Sequence, residues 1–182
     1  MLGTRKKKNQ VIYLIAIGSN STSRFGSPVK NLRKSIKFIE NKNIQVIKKS
    51  SIYISPPKDF VRAGGIFYNA VLMVNTLLKP MALLRELKKI EVAMGRYKHK
   101  KNTSRTCDLD ILLHKSQEVI SESETDLTCF IPHPEMCNRN FVMIPLAEIC
   151  PTWIHPLEEK SILSIVKRKF FTDRLYKGTN VL

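Results

Sequence analysis

Two aspartates separated by one residue lie within an otherwise apolar stretch, Arg105 to Leu113, which reads RTCDLDILL. In a β-strand, residues i and i+2 point to the same face, so this spacing places Asp108 and Asp110 side by side. Like charges at such positions repel each other unless cations lie beside them. Magnesium is a suitable cation, because it takes carboxylate oxygens and commonly bridges to substrate phosphates. The alternative is that the pair faces solvent or pairs with Arg105.

A run of basic residues precedes the aspartates, between a helical pattern and the strand. Cations beside a carboxylate pair suit a polyphosphate, because they counter the oxygens that a metal leaves uncovered. The alternative is a solvated charge run. The sequence contains no Walker A pattern and no protein-kinase set, so a nucleotide would be held by other means. The basic residues are Arg96, Lys98, His99, Lys100, Lys101 and Arg105.

Three further polar residues stand in positions where a ligand contact is one interpretation. His133 lies between two prolines and is followed by Arg139, although a lone histidine in such a place is often structural. Asn69 lies on an apolar strand beside Tyr68, and a polar group in a core must be satisfied by something. Asn69 either hydrogen-bonds to the polar edge of a flat heterocyclic ligand or makes a structural hydrogen bond within the protein.

Length, composition and charge narrow the possible classes of protein. The 182 residues fit one domain, and 43% apolar with 25% charged residues is typical of a globular protein. The net charge of +16 favours an anionic partner: a nucleotide, a nucleic acid or an anionic membrane. The four cysteines form no C-x-x-C pair and are predicted to be free thiols in a reducing cytosol. A zinc site at Cys129, His133 and Cys137 would need a helix, which Pro132 and Pro134 discourage.

The amino-terminal segment resembles a secretory signal only in part. Its apolar run, Val11 to Gly18, is short, and no small-x-small cleavage pattern follows. We therefore expect a disordered basic tail over residues 1–10 and a single domain over residues 11–182. No run approaches the roughly 20 apolar residues that span a bilayer, so a cytoplasmic protein without a membrane partner is predicted.

Hydrophobic periodicity predicts the order strand, helix, strand, strand, helix, strand. This order is typical of an α+β fold of the ferredoxin-like, split βαβ type, an antiparallel sheet with both helices on one face and the other face free for ligands. The remaining third supplies C-terminal additions, and two of its segments are expected to pack around the sheet edge: IPHPEMCNRNFVMIPLAEICP and a closing helix over Ser161 to Phe171. The predicted elements are strands at 11–17, 44–54, 66–76 and 105–113, and helices opening at Pro28 and spanning 79–96.

Six segments together resemble the 6-hydroxymethyl-7,8-dihydropterin pyrophosphokinase family of folate biosynthesis, in the family's order and spacing. The resemblance implies ATP as co-substrate, two Mg²⁺ ions, and transfer of pyrophosphate from ATP to the pterin hydroxymethyl group with release of AMP. The segments are AIGSN at 16–20, SSIYISPP at 50–57, FYNAV at 67–71, LLRELKKIEVAMGR at 83–96, RTCDLDILL at 105–113 and IPHPEMCNRNFVMIPLAEICP at 131–151.

The resemblance also assigns roles to individual residues. Asp108 and Asp110 would hold the metals, with Arg96 and Arg105 as further catalytic residues. Phe67 and Phe141 would sandwich the pterin ring, and its polar edge would bond to Asn69 and to the backbone around Ser55, Pro56, Pro57 and Lys58. The ATP side would consist of Glu91, Lys98, Arg105, Ile111, His133 and Arg139.

The sequence departs from the family pattern in the segment before Arg105. In place of the family's aromatic residue and Gly-Pro, this chain has Asn102, Thr103 and Ser104. It also has Lys98 where an arginine is frequent, and this change keeps the positive charge but loses the bidentate hydrogen bonding of arginine. Thr128 and Phe130 stand where some relatives place polar or cationic ATP contacts. We expect these changes to alter ATP affinity and loop closure more than the chemistry.

The predicted mechanism is in-line attack by the pterin hydroxyl on the β-phosphorus of ATP, without an evident general base. The main alternative is an RNA-binding module, since a basic ferredoxin-like sheet with exposed aromatics also describes that class. The strand GGIFYNAVLMV lacks the basic start and aromatic spacing of such a module, which argues against a nucleic acid partner. A noncatalytic relative is a third alternative. A monomer is the favoured state.

Overall fold

The computed structural model describes residues 10–56, 65–96, 104–179 and 182. They form an α+β fold with an antiparallel sheet. The strands are β1 Val11–Ser19, β2 Gln45–Lys49, β3 Tyr53–Ser55, β4 Phe67–Thr76, β5 Asp108–His114, β6 Ile120–Glu124, β7 Leu127–Ile131, β8 Ile154–His155, β9 Lys160–Ser161 and β10 Tyr176–Lys177. The α-helices are α1 Pro28–Glu40, α2 Pro80–Ala93, α3 Asn140–Ile149 and α4 Ile162–Arg168.

The main sheet has the order β10-β3-β4-β1-β5, and β2 pairs with β4 beyond the end of β3. The predicted strand over 44–54 is therefore two strands rather than one, and that prediction is wrong. The break lies at Ser50, whose Oγ accepts a hydrogen bond from the Val71 N–H at 2.9 Å. A side-chain oxygen thus enters the pairing with β4, and β3 resumes two residues beyond Ser51.

The first face of the sheet is covered by α1 and α2, as the periodicity predicts. Proline stands at the first helical position of both helices, where its missing N–H costs nothing. Gly95, with a φ of +91°, follows α2 in a conformation that glycine adopts without strain. The buried side chains of this layer include Ile15, Ile17, Leu32, Ile36, Ile39, Leu72, Val74, Leu84, Leu87, Ile90, Leu109 and Ile111.

The second face is largely covered by α3 and α4. The expectation of a free face is therefore wrong, as is the expectation that these two segments pack around the sheet edge. Leu146 and Met143 of α3 pack on Leu14 of β1 and Val71 of β4. This helix is apolar nearly all round and contains Pro145, so its sequence carries little helical periodicity. The closing helix, α4, is shorter than the predicted span. The end of the face near Gly18 lines a cavity.

One carboxylate links α3 to the sheet edge. Glu148 accepts hydrogen bonds from the Ser51 N–H at 3.1 Å, the Ser51 hydroxyl at 2.7 Å and the Tyr53 hydroxyl at 3.1 Å. Lys177 of β10 lies 3.2 Å away. Burial favours the protonated acid, but the hydrogen bonds from Ser51, Lys177 and Tyr53 lower the pKa of Glu148 overall. The second layer is therefore fixed to β3 by polar as well as apolar contacts.

Within the described residues, no helix has the length and apolarity that crossing a bilayer requires. The four cysteines are all buried and unpaired, as expected. Burial raises the pKa of the Cys129 thiol to about 11 and that of Cys150 to about 12.

Candidate active site

The aspartate pair lies on the edge strand β5, which pairs with β1. Asp108 is paired with Gly18 and Asp110 with Ala16, and both aspartates line one cavity while Leu109 faces the opposite core. The predicted shared face is thus confirmed. Gly18 leaves room above the strand, since a Cβ at that position would lie 3.2 Å from Oδ1 of Asn69.

Arginines neutralise Asp108. Its two carboxylate oxygens contact Arg96 and Arg105 respectively. Burial opposes ionisation, but the charges of Arg96 and Arg105 outweigh it and hold the pKa of Asp108 below its usual range. Asp108 is therefore ionised at neutral pH, and part of its charge is already countered by protein groups.

Asp110 has a different neighbour, Lys88 of α2. The Lys88 ammonium lies 2.9 Å from Oε1 of Glu91, 2.9 Å from the Leu109 carbonyl oxygen and 3.4 Å from Oδ1 of Asp110. The sequence reasoning missed this lysine. The available signal was its spacing, because residues i and i+3 on a helix share a face, and Glu91 was already a candidate.

Glu91 lies behind the aspartates as a buried acceptor with 4% exposure. It accepts the Leu109 N–H at 2.7 Å and forms an ion pair with Arg96 at 2.6 Å. Burial raises the pKa of Glu91, and the charges of Lys88 and Arg96 oppose that rise. Glu91 therefore links α2 to β5 and orients two cations of the site.

The first cavity, of about 150 Å³, lies over the end of β1 and β4. Asn69 donates to the Ser55 hydroxyl at 3.1 Å, which holds its amide at the cavity wall. Ser55 is paired with Phe67 across β3 and β4, so the two strands bring these side chains to one end. The predicted site residues that line this cavity are Ser55, Pro56, Phe67, Asn69, Arg105, Asp108, Asp110, Arg139 and Phe141.

The second cavity, of about 390 Å³, lies beside β5, between α2 and the hairpin of β6 and β7. Asp110 and Arg139 line both cavities, which therefore adjoin. The predicted residues Ile111 and His133 line the second one. Its wall also includes Lys88, Leu84, Thr128, Cys129 and Phe130.

His133 is oriented by the backbone that follows it. Its Nδ1 accepts the Glu135 N–H at 3.1 Å, so the neutral ring carries its proton on Nε2. Burial lowers the pKa of His133, and the nearby charge of Arg139 lowers it further, while Asp110 acts in the opposite direction. A neutral histidine in this position offers a single ring N–H to a ligand.

The structure brings together most of the predicted site residues in these two adjoining cavities. Glu91 and Arg96 line neither cavity. They contact the charged residues of the cavity walls instead: Glu91 contacts Lys88, and Arg96 contacts Asp108. Pro57, Lys58 and Lys98 lie outside the described residues, as do His99 to Thr103 of the basic segment. Across the described residues, no group of three or more His, Cys, Asp or Glu side chains lies close enough together to bind a metal ion. Cys129, His133 and Cys137, the residues of the zinc alternative, therefore do not form such a group.

Asn20 is a second residue that the sequence reasoning passed over, although it belongs to the quoted segment AIGSN. Its N–H donates to the Arg105 carbonyl at 3.0 Å, and its Oδ1 accepts the Arg105 N–H at 2.6 Å. Its amide nitrogen donates to the Gly65 carbonyl at 3.3 Å. Asn20 therefore fixes the chain immediately before β5 and before β4.

The donor set fits a hard divalent cation. Asp108 and Asp110 present carboxylate oxygens to the first cavity, and Asp110 also lines the second. No described residue hydrogen-bonds to Oδ2 of Asp110. Oxygen ligands of this type, few in number and next to an open cavity, suit Mg²⁺, which retains water and adds substrate phosphates. The arginines on Asp108 would share its oxygens with such an ion.

The fold and the site define a class of protein: an α+β domain with paired aspartates beside two adjoining cavities, which share Asp110 and Arg139. A family model described as 7,8-dihydro-6-hydroxymethylpterin-pyrophosphokinase matches residues 14–151. This chain belongs to that family.

Curated relatives agree with the family assignment. The chain is 34% identical over 164 residues to 2-amino-4-hydroxy-6-hydroxymethyldihydropteridine pyrophosphokinase of Haemophilus influenzae, covering 90% of this chain and 95% of the relative. It is 37% identical over 160 residues to the folic acid synthesis protein fol1 of Pneumocystis carinii, covering 88% of this chain. The chain spans 20% of the length of that relative, and 21% of a Dictyostelium discoideum counterpart.

A solved structure, Plasmodium falciparum HPPK-DHPS with SDX-DHP, has a similar fold, with a TM-score of 0.72 and 14% sequence identity. The match covers 88% of this chain and 44% of that one. At this identity the likeness concerns the fold.

Proposed function

We propose that this chain transfers pyrophosphate from ATP to 6-hydroxymethyl-7,8-dihydropterin, with release of AMP, in folate biosynthesis. The observation that carries the proposal is the pair of adjoining cavities that share Asp110 and Arg139 in a member of this family. A transfer between two substrates requires the two reacting groups to meet, and the shared wall provides the meeting point.

The first cavity suits the pterin. Phe67 and Phe141 line it and are the proposed ring-stacking pair, while Asn69 and Ser55 supply an amide and a hydroxyl for the polar ring edge. The geometry that supports this assignment is the hydrogen bond between Asn69 and Ser55, which fixes the amide against one wall. Pro56 and the backbone of Pro57 would complete the contact.

The second cavity suits ATP. Its apolar wall, which includes Ile111, would pack against the base, and His133 and Arg139 would bond to phosphate oxygens. Lys98, Arg105 and Glu91 are the further proposed contributors on this side. Thr128 and Phe130 also line this cavity, so these two departures from the family pattern fall on the proposed ATP side.

Asp108 and Asp110 are the proposed ligands of two Mg²⁺ ions. When bound there, the ions would neutralise phosphate charge and orient the β-phosphorus. Arg96 and Arg105 remain beside Asp108. Their positive charge would stabilise the negative charge that develops on the transferred group. Glu91 would hold Arg96 in place. The pterin hydroxyl would attack in line, aligned by the walls of the first cavity.

The remaining proposals concern the whole molecule. The strand order, with the two crossover helices α1 and α2 on one face, supports the ferredoxin-like arrangement. We propose that residues 11–182 act as one domain behind the basic tail of residues 1–10, and that the protein is a monomer in the cytoplasm with small-molecule substrates. Size-exclusion chromatography with light scattering tests the oligomeric state.

The decisive experiment mixes the purified chain with ATP, Mg²⁺ and 6-hydroxymethyl-7,8-dihydropterin and follows AMP and the pterin pyrophosphate. Pterin-dependent AMP is the expected product. ADP would contradict pyrophosphoryl transfer, and the absence of turnover despite ATP binding would favour a noncatalytic relative. Tight, salt-sensitive binding of single-stranded RNA without turnover would favour the RNA-binding alternative.

A further inference from the structure

Lys88 is a cation held beside Asp110, a residue that lines both cavities. It lines the second cavity, and its side chain is 30% exposed. An ammonium group has three N–H donors. In Lys88 they face three acceptors: Oε1 of Glu91 and the Leu109 carbonyl oxygen, each at 2.9 Å, and Oδ1 of Asp110 at 3.4 Å.

The two shorter contacts anchor the ammonium independently of Asp110. Glu91 is itself fixed by the Leu109 N–H and by Arg96, and the Leu109 carbonyl belongs to the backbone of β5. Lys88 is therefore unlike a surface lysine, which moves away when another cation approaches. Its charge stays beside Asp110 whatever else binds there.

We propose that Lys88 is a resident counter-ion that weakens divalent-metal binding at Asp110 and makes it depend on a nucleotide polyphosphate in the second cavity. A fixed positive charge repels a divalent ion at close range, and the repulsion is strong in a partly buried site. Phosphate oxygens in the adjoining cavity offset both positive charges. The inference rests on the proposed function, since it takes Asp110 as a metal ligand and the second cavity as the nucleotide site.

The test measures Mn²⁺ binding by electron paramagnetic resonance of the free ion, without substrate turnover. Wild type, Lys88→Met and Lys88→Gln are titrated alone and with α,β-methylene ATP, after correction for metal bound by the free nucleotide. We expect both variants to bind Mn²⁺ at least about tenfold more tightly than wild type without nucleotide, and to gain less from the nucleotide.

Lys89→Met is the matched control, because Lys89 is the adjacent lysine of α2, is 67% exposed and pairs with Glu86 at 2.7 Å. It should bind Mn²⁺ like wild type. Equal Mn²⁺ affinities for wild type, Lys88→Met and Lys88→Gln, each folded by circular dichroism, would overturn the inference. An effect of Lys89→Met as large as that of Lys88→Met would also overturn it.

Asp110→Asn separates failure of the inference from failure of the proposed function. Suppose that Asp110→Asn weakens Mn²⁺ binding and that wild type forms pterin-dependent AMP. Unchanged Mn²⁺ affinity in the Lys88 variants would then refute the counter-ion role and leave the proposed function intact. If Asp110→Asn binds Mn²⁺ like wild type, the metal assignment is wrong and the inference falls with it.

Discussion

Replacing Gly18 by alanine tests the proposed pterin cavity with a single methyl group. Gly18 lies in β1 under the first cavity, opposite Asp108 of β5 and Asn69 of β4. The added Cβ would lie 3.2 Å from Oδ1 of Asn69 and 3.9 Å from Cβ of Asp108. The first distance is tighter than ordinary van der Waals contact, so the Asn69 amide must shift by a few tenths of an ångström.

The expected loss follows from the hydrogen bonds that Asn69 would make. A displaced amide loses or lengthens one or two bonds to the ring, each worth about 0.5–1.5 kcal/mol. Pterin affinity should therefore fall by about 0.5–3 kcal/mol, or roughly 2- to 150-fold. The fold should be unharmed, because alanine in a strand interior is favoured over glycine by about 0.5–1 kcal/mol.

Isothermal titration calorimetry of pterin and of α,β-methylene ATP, combined with thermal unfolding, measures these effects. ATP affinity and Tm should stay close to the wild-type values. Gly178→Ala is the matched control: its Cβ would lie 3.2 Å from the Ile52 carbonyl oxygen, and Gly178 lines neither cavity. A Gly18→Ala protein that binds pterin within twofold of wild type would refute the assignment of Asn69.

Three further changes probe the metal site, the ring contact and the sheet edge. Asp110→Ala should nearly abolish turnover while circular dichroism remains native, and a wild-type rate would refute the metal assignment. Phe141→Ala should weaken pterin binding about tenfold or more and ATP binding little, because stacking on an aromatic adds about 0.5–1.5 kcal/mol beyond the area buried; equal losses would argue against the sandwich. Glu148→Gln should lower stability by about 1 kcal/mol, or about 2–4 °C in Tm, at pH 7.

The Glu148 effect should depend on pH in a defined direction. Because the folded pKa of Glu148 lies below its ordinary value of 4.5, its stabilising contribution is present above pH 4.5 and is lost as pH falls through the folded pKa. The difference in Tm between wild type and Glu148→Gln should therefore shrink below about pH 4. A constant difference from pH 7 to pH 3 would contradict this account. Lys177→Met, which removes only one exposed partner, should cost less.

The exposed Phe170 provides the control for the aromatic change. It is 91% exposed and lines neither cavity, so Phe170→Ala should leave both affinities unchanged. A similar loss of pterin affinity in both phenylalanine variants would mean that the effect of Phe141→Ala is not local.

Sequence periodicity predicted the layer that contains α1 and α2 because those helices have one apolar and one polar face. It also placed Asp108 and Asp110 correctly, since the alternation of a strand fixes which side chains share a face. The second layer was not predicted: α3 is apolar on nearly every side and contains a proline, so its sequence has no stripe to detect. The break at Ser50 depends on a partner in β4, which local sequence does not encode.

The cations of the site show a similar division. Arg96 and Arg105 were predicted as a group because they stand in one basic segment near the aspartates. Lys88 stands among other lysines of α2, and only the tertiary packing of that helix against β5 distinguishes it from Lys89. Lys88 contacts Leu109 and Asp110 because α2 packs against the edge strand β5, and no pattern along the chain indicates these contacts.

The anchoring by Asn20 has a consequence for evolution and engineering. Asn20 holds Gly65, two residues before β4, and Arg105, three residues before β5. A change of chain length on the amino-terminal side of either anchor would therefore meet a fixed point before it reached β4 or β5, and the strand register would be preserved. Relatives that differ in length ahead of these two anchors should accordingly keep the aspartates in the same place.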